Sequence, residues 1–140
     1  MTDAAESLVH IGEVAERTGL SHRTIRYYEE MGLVEPAART EGGFRLYDEA
    51  GIERLLLIMP MKPLGFSIEQ IGDLLRALDA LADPHSSEHD RTAAHSLVAY
   101  TRGVAQERIA ELKASTAKAE AFTRRLGRVH TSPASGPTPG

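Results

Sequence analysis

From Glu88 to Leu126 the chain carries no proline and a single glycine, Gly103. Within that stretch Val98, Ala105, Leu112, Ala119 and Leu126 recur every seven residues, with Ile109 and Phe122 between them. A sustained seven-residue apolar repeat marks a helix whose seam is covered by another helix. The seam is imperfect, because Arg102, Thr116 and Thr123 share the stripe. A helix of this length reaches roughly 55–60 Å at 1.5 Å per residue, too far to be buried by the short segment before it. The pattern therefore predicts that two copies of the chain pair along this helix. A single solvated helix is the competing reading.

The 140 residues leave room for one small domain ahead of that helix. Without cysteine the chain has no disulfides, no thiolate metal ligands and no thiol redox chemistry. The first ten residues, MTDAAESLVH, are acidic and lack the basic and apolar regions of a signal peptide. No apolar run nears the roughly 20 residues that span a bilayer. A cytoplasmic protein with no membrane partner is expected.

Residues 1–8 read as a flexible leader. Ile11, Val14 and Ala15 have helical spacing, and Gly19 closes that segment. Ser21 then caps a second helix through Met31, in which Ile25, Tyr28 and Met31 are expected on one inward side. Arg23, Arg26, Tyr27 and Glu30 lie round the rest, and Gly32 stops the helix. Two short helices joined by a tight glycine turn make a helix-turn-helix, with Ser21–Met31 as the recognition helix. An apolar back with outward donors suits a helix that enters a DNA groove; an ordinary amphipathic helix is the plainer alternative. Charge is a difficulty. The net charge is −4, and residues 10–47 hold five arginines against six glutamates. Phosphate binding then requires the arginines to gather on one surface and the acids to turn away.

After Pro36, residues 37–47 read as a hairpin turning at Glu41-Gly42-Gly43. Alternation puts Phe44 and Leu46 on one face, expected to pack on the domain, and Arg45 and Tyr47 on the other, with Arg45 toward a partner. A hairpin directly behind a helix-turn-helix is a wing. Asp48 caps a third helix, which Pro60 ends or kinks near Ile58. Residues 62–66 form a bend, and Ser67 with Gln70 makes a capping box for a fourth helix through Leu81. The organisation expected is a winged helix-turn-helix domain over 9–82, a linker over 83–87, the dimerisation helix over 88–126 and a disordered Pro/Ser/Gly-rich tail over 127–140. The fold class is mainly α.

Ile11-Gly12-Glu13-Val14-Ala15, Thr18-Gly19-Leu20-Ser21, Thr24-Ile25-Arg26-Tyr27-Tyr28-Glu29, Gly32-Leu33, Gly43-Phe44-Arg45-Leu46-Tyr47 and Leu64-Gly65-Phe66-Ser67 stand in order. Together they resemble the MerR family of bacterial transcription regulators over residues 10 to about 80. The resemblance implies a homodimer joined by an antiparallel coiled coil. It also implies sequence-specific binding to a promoter with overlong −35/−10 spacing, which the protein bends and untwists for RNA polymerase in response to an effector. Carried over by position, it assigns DNA contacts to Ser21, His22, Arg23, Arg26, Tyr27, Tyr28, Arg39 and Arg45, and to Lys62 in a second wing. Pro60 departs from the family pattern there. The absence of cysteine and of a folded domain beyond the coil also departs from well-known members.

His85, His89 and His95, near Asp83 and Asp90, are candidate zinc or nickel ligands, although histidines in a polar linker are usually solvated. Leu78, Leu81, Tyr100 and Val104 are candidates for an apolar effector site. No nucleophile–base pair, HExxH or phosphate-cradling glycine loop occurs, so neither an enzyme nor a cofactor is expected. The rival functions are a DNA architectural or excisionase-like accessory protein and a protein-interaction adaptor. A long coil speaks against the first; only the local acid excess supports the second.

Overall fold

The structure, a computed structural model, describes residues 8–131, with the side chains of 130 and 131 set aside. Its elements in order are β1 (Val9–His10), α1 (Ile11–Thr18), α2 (His22–Glu30), β2 (Ala38–Arg39), β3 (Arg45–Tyr47), α3 (Glu49–Ile58), α4 (Ile68–Ala82) and α5 (Glu88–Thr131). The fold is mainly helical: a helix-turn-helix with a small winged sheet, then a long helix. The chain divides into two compact units, Met1–Ala99 and Tyr100–Gly140.

Local chemistry sets most boundaries. Gly19 stops α1 in the left-handed region at φ 79°, its N–H reaching the Ala15 carbonyl at 2.8 Å. Ser21 caps α2 by accepting the Thr24 N–H at 3.0 Å, and Asp48 caps α3 through the Gly51 N–H at 2.9 Å. α3 ends at Ile58, two residues before Pro60, where the sequence places its end. The Ser67/Gln70 capping box is present in full, with both reciprocal bonds.

The sheet is antiparallel with β3 in the middle, flanked by β1 and β2. Val9 pairs with Tyr47 and His10 with Leu46; across the other edge Ala38 pairs with Leu46 and Arg39 with Arg45. Strand β1 is not foreseen in the sequence, which starts its first element at a helix. Two residues give too short a pattern to detect without their partner strand.

The core of the first unit gathers Val14, Ile25, Tyr47, Ile52, Leu55, Ile58 and Ile71, all fully buried. Burying side chains of this size contributes about 1.5–3 kcal/mol each before the entropy of ordering them is counted. The Arg54 guanidinium joins three parts of this unit. It donates to the Leu33 carbonyl at 2.8 Å and to both carboxylate oxygens of Asp79 at 2.9 and 3.0 Å. That ties the end of the helix-turn-helix, α3 and α4 together. The last carbonyls of α4 are taken up by Arg91, which donates to Leu81 at 3.3 Å and Asp83 at 2.6 Å, and by Ser86, which donates to Ala80 at 2.6 Å.

Several expectations need correction. Met31 is 48% exposed rather than inward. Two steps of three residues turn a helix about 120° from Ile25, so Met31 leaves the face that Ile25 and Tyr28 share. On the wing the two faces are reversed: Tyr47 is fully buried and Phe44 is 69% exposed. Tyr47 turns toward α2, where its hydroxyl reaches Glu29. The long helix continues through Thr131 instead of stopping at Leu126, so residues 127–131 are helical and not part of a tail. Gly127 carries no left-handed turn there, and a lone glycine costs a helix only about 1 kcal/mol. Residues 1–7 of the expected leader and 132–140 of the expected tail lie outside the described residues.

Candidate nucleic-acid interface

The turn between α1 and α2 is fixed by side chains as well as by Gly19. The Thr18 hydroxyl, itself buried, donates to the Val14 carbonyl at 2.8 Å and accepts the Leu20 N–H at 3.2 Å. This holds α2 at one angle to α1. Ile25 and Tyr28 anchor α2 to the core, and burial raises the Tyr28 phenol pKa above its ordinary value, with Tyr27 adding to the effect.

The opposite side of α2 presents His22, Arg23, Arg26 and Tyr27, all exposed. Among the described residues Arg23, Arg26 and Lys62 make no ion pair. Ser21 is exposed too, but its hydroxyl is committed to Thr24, both as cap and as donor to the Thr24 hydroxyl at 3.0 Å. Tyr28 is 3% exposed, so most of its ring belongs to the core. Lys62 sits exposed in the turn between α3 and α4.

The wing arginines meet an unexpected partner. Arg45 forms an ion pair with Glu29 of α2, and Arg39 approaches the same carboxylate at 3.4 Å while donating to the Gly43 carbonyl at 3.3 Å. The Tyr47 hydroxyl donates to Glu29 at 3.5 Å. Burial first, and then Glu29, push the Tyr47 phenol up. The Glu29 side chain is only 11% exposed. By charge count alone it weighs against a DNA-facing surface; in the fold it is neutralised by the wing arginines and joins the wing to the recognition helix. Its position was available in the sequence, because Glu29 lies one turn beyond Ile25 and so shares the buried side of α2.

The other candidates separate. Leu78 and Leu81 are half-buried on α4, whereas Tyr100, in the second unit, is 65% exposed. His85 and His89 are exposed, and His95 lines a cleft with Arg91, whose positive charge disfavours a metal cation. Among the described residues no three His, Cys, Asp or Glu side chains gather as metal ligands. Nor is any helix there long and apolar enough to cross a membrane. Of the expected dimer seam, Val98 and Ala105 are half-buried, while Ile109, Leu112, Ala119, Phe122 and Leu126 are exposed.

A helix-turn-helix with a wing and a trailing helix defines a class of nucleic-acid-binding regulators, and comparison with known proteins narrows it. The profile of the MerR HTH family regulatory protein matches residues 9–78. The HTH-type transcriptional regulator ZntR of Escherichia coli K12 is 37% identical over 123 residues, covering 88% of this chain and 79% of that protein. The heavy metal-dependent transcription regulator 2 of Rhizobium meliloti is 38% identical over 118 residues, covering 84% and 71%. Among solved structures, HiNmlR, a MerR family regulator lacking the sensor domain and bound to promoter DNA, shares the fold with a TM-score of 0.69. It is 22% identical, with 89% of this chain and 94% of that chain covered. The chain belongs to the MerR family: it is a DNA-binding transcription regulator of a non-enzymatic family.

Proposed function

We propose that the protein is a homodimeric, sequence-specific regulator that binds promoter duplex and distorts an overlong spacer so that RNA polymerase engages both promoter elements. The observation that carries this reading is the exposed face of α2. His22, Arg23 and Arg26 are exposed there on a helix anchored from behind by Ile25 and Tyr28. In it His22, Arg23, Arg26 and Tyr27 meet the groove, Ser21 and Tyr28 lie at its edge, and Arg39, Arg45 and Lys62 meet flanking phosphates. The related fold of HiNmlR, bound to promoter DNA, supports the docking mode.

Dimerisation runs through the exposed stripe of α5 as an antiparallel coiled coil of residues 88–126, and the protein works in the cytoplasm. Two heads at a fixed separation then read two half-sites of one duplex. A small-molecule effector switches the distortion. With no cysteine, this chain does not sense a metal through thiolates, although one relative is named for heavy-metal dependence.

The test is a binding titration on the DNA upstream of the chain's own gene. Arg26→Ala lowers affinity about tenfold or more and flattens the salt dependence by about one unit of slope, while circular dichroism stays unchanged. Wild-type affinity and slope in that variant would refute the contact surface.

A further inference from the structure

A shallow cleft of about 340 Å³ lies between the start of α1, the recognition helix and the wing, lined by His10, Arg26, Phe44 and Arg45 with the two glycines of the wing turn. His10 is not among the contacts assigned above. Its backbone is pinned, because it pairs with Leu46 in the sheet and begins α1 from an extended conformation. Its ring is uncommitted: it does not cap α1, and among the described residues it makes no hydrogen bond or ion pair.

The other walls complement it. Arg26 brings a guanidinium with no ion-pair partner among the described residues, whereas Arg45 is engaged by Glu29. Phe44, although 69% exposed, is backed by its own turn: a Cβ added at Gly42 would stand 3.3 Å from its ring. The cleft thus offers one free cation, one titratable ring and one apolar wall within a short span. Alternating anionic oxygens and aliphatic carbons, as in a sugar–phosphate strand, match that pattern.

We propose that this cleft seats a stretch of backbone of the bound duplex, with His10 as a proton-dependent phosphate contact. The proposal rests on the DNA-binding reading above. The charged groups that line the cleft with His10 are Arg26 on α2 and Arg45 on β3, the latter engaged by Glu29. A phosphate seated between His10 and Arg26 favours the charged imidazole. DNA binding therefore draws a proton onto His10, and affinity falls as pH rises through the imidazole range.

The experiment measures affinity by fluorescence anisotropy, with the full chain and its own upstream duplex, across a salt series at about pH 6 and about pH 8. Wild type, His10→Gln, His10→Lys and His22→Gln are compared, with thermal melts confirming equal folding. Each phosphate contact adds about 0.9 to the salt slope and about threefold in affinity over a moderate salt range. Wild type loses that increment at the higher pH. His10→Gln lacks it at both, His10→Lys keeps it at both, and His22→Gln retains the part due to His10. A His10→Gln protein that follows the wild-type curves in affinity and slope overturns the assignment. Wild-type protein that binds the duplex at neither pH overturns the DNA-binding reading, and this seat with it.

Discussion

Ile52 and Ile109 are the same side chain in the same secondary structure, yet the first is fully buried and the second 42% exposed. Around Ile52, the helix-turn-helix, α3 and α4 close on one another, with Arg54 bonded to both Leu33 and Asp79. Ile109 lies on α5, in the second unit. Leu112, Phe122, Leu126 and Val129 are 52%, 62%, 51% and 72% exposed. Thr123 satisfies its hydroxyl on its own helix, donating to the carbonyls of Ala119 and Glu120. The first region draws stability from contacts made by one chain. The second leaves its apolar stripe exposed, and cover from another chain would make its contribution depend on concentration.

The largest expected effect comes from denying the exposed stripe its cover. Leu112→Glu with Phe122→Glu shifts sedimentation at micromolar concentration from dimer to monomer. It also lowers operator affinity by at least about a hundredfold, since the second head loses its tethered advantage. A double variant that still sediments as a dimer would assign dimerisation elsewhere. Next in size, Ile52→Ala costs about 2–5 kcal/mol in denaturant unfolding. That loss is the same at every protein concentration, while the loss from Ile109→Ala grows as the protein is diluted. Equal, concentration-independent losses at both sites would erase the distinction between the regions.

The smallest effect concerns the Arg54–Asp79 pair. The hydrogen bond from Arg54, aided by its charge, holds the Asp79 carboxyl below its ordinary range. A carboxylate with a depressed folded-state pKa adds stability above its unfolded pKa of about 3.9, and that stability disappears as pH falls through the folded value. The Asp79 side chain is 59% exposed, so solvent screening limits the gain to below about 1 kcal/mol. Asp79→Asn should therefore melt slightly below wild type at neutral pH, and the two curves should converge in strong acid. A gap that persists or widens in acid would assign the effect to lost packing.

The sequence revealed most where the relevant physics acts within one helical turn. Gly19, Ser21 with Thr24, Asp48 with Gly51, Pro60, and Ser67 with Gln70 each fix a boundary through neighbours at most four residues away. The candidate interface was legible in part. Alternation showed that Arg45 and Tyr47 share a face, but not that this face turns inward. It also missed His10, because a lone histidine ahead of a helix carries no pattern.

Length, the missing cysteines, the helix-turn-helix and the seven-residue apolar repeat are properties of the chain's own order, and the sequence alone determined them. The tertiary structure decided which wing face is core, that Glu29 binds both wing arginines, and that His10 shares a cleft with Arg26. Each depends on residues distant in sequence: Tyr47 meets Glu29 18 positions away, and Val9 pairs with Tyr47 across the sheet. Local periodicity specifies which side chains lie together on a face. Only the packing of one element on another specifies what that face meets.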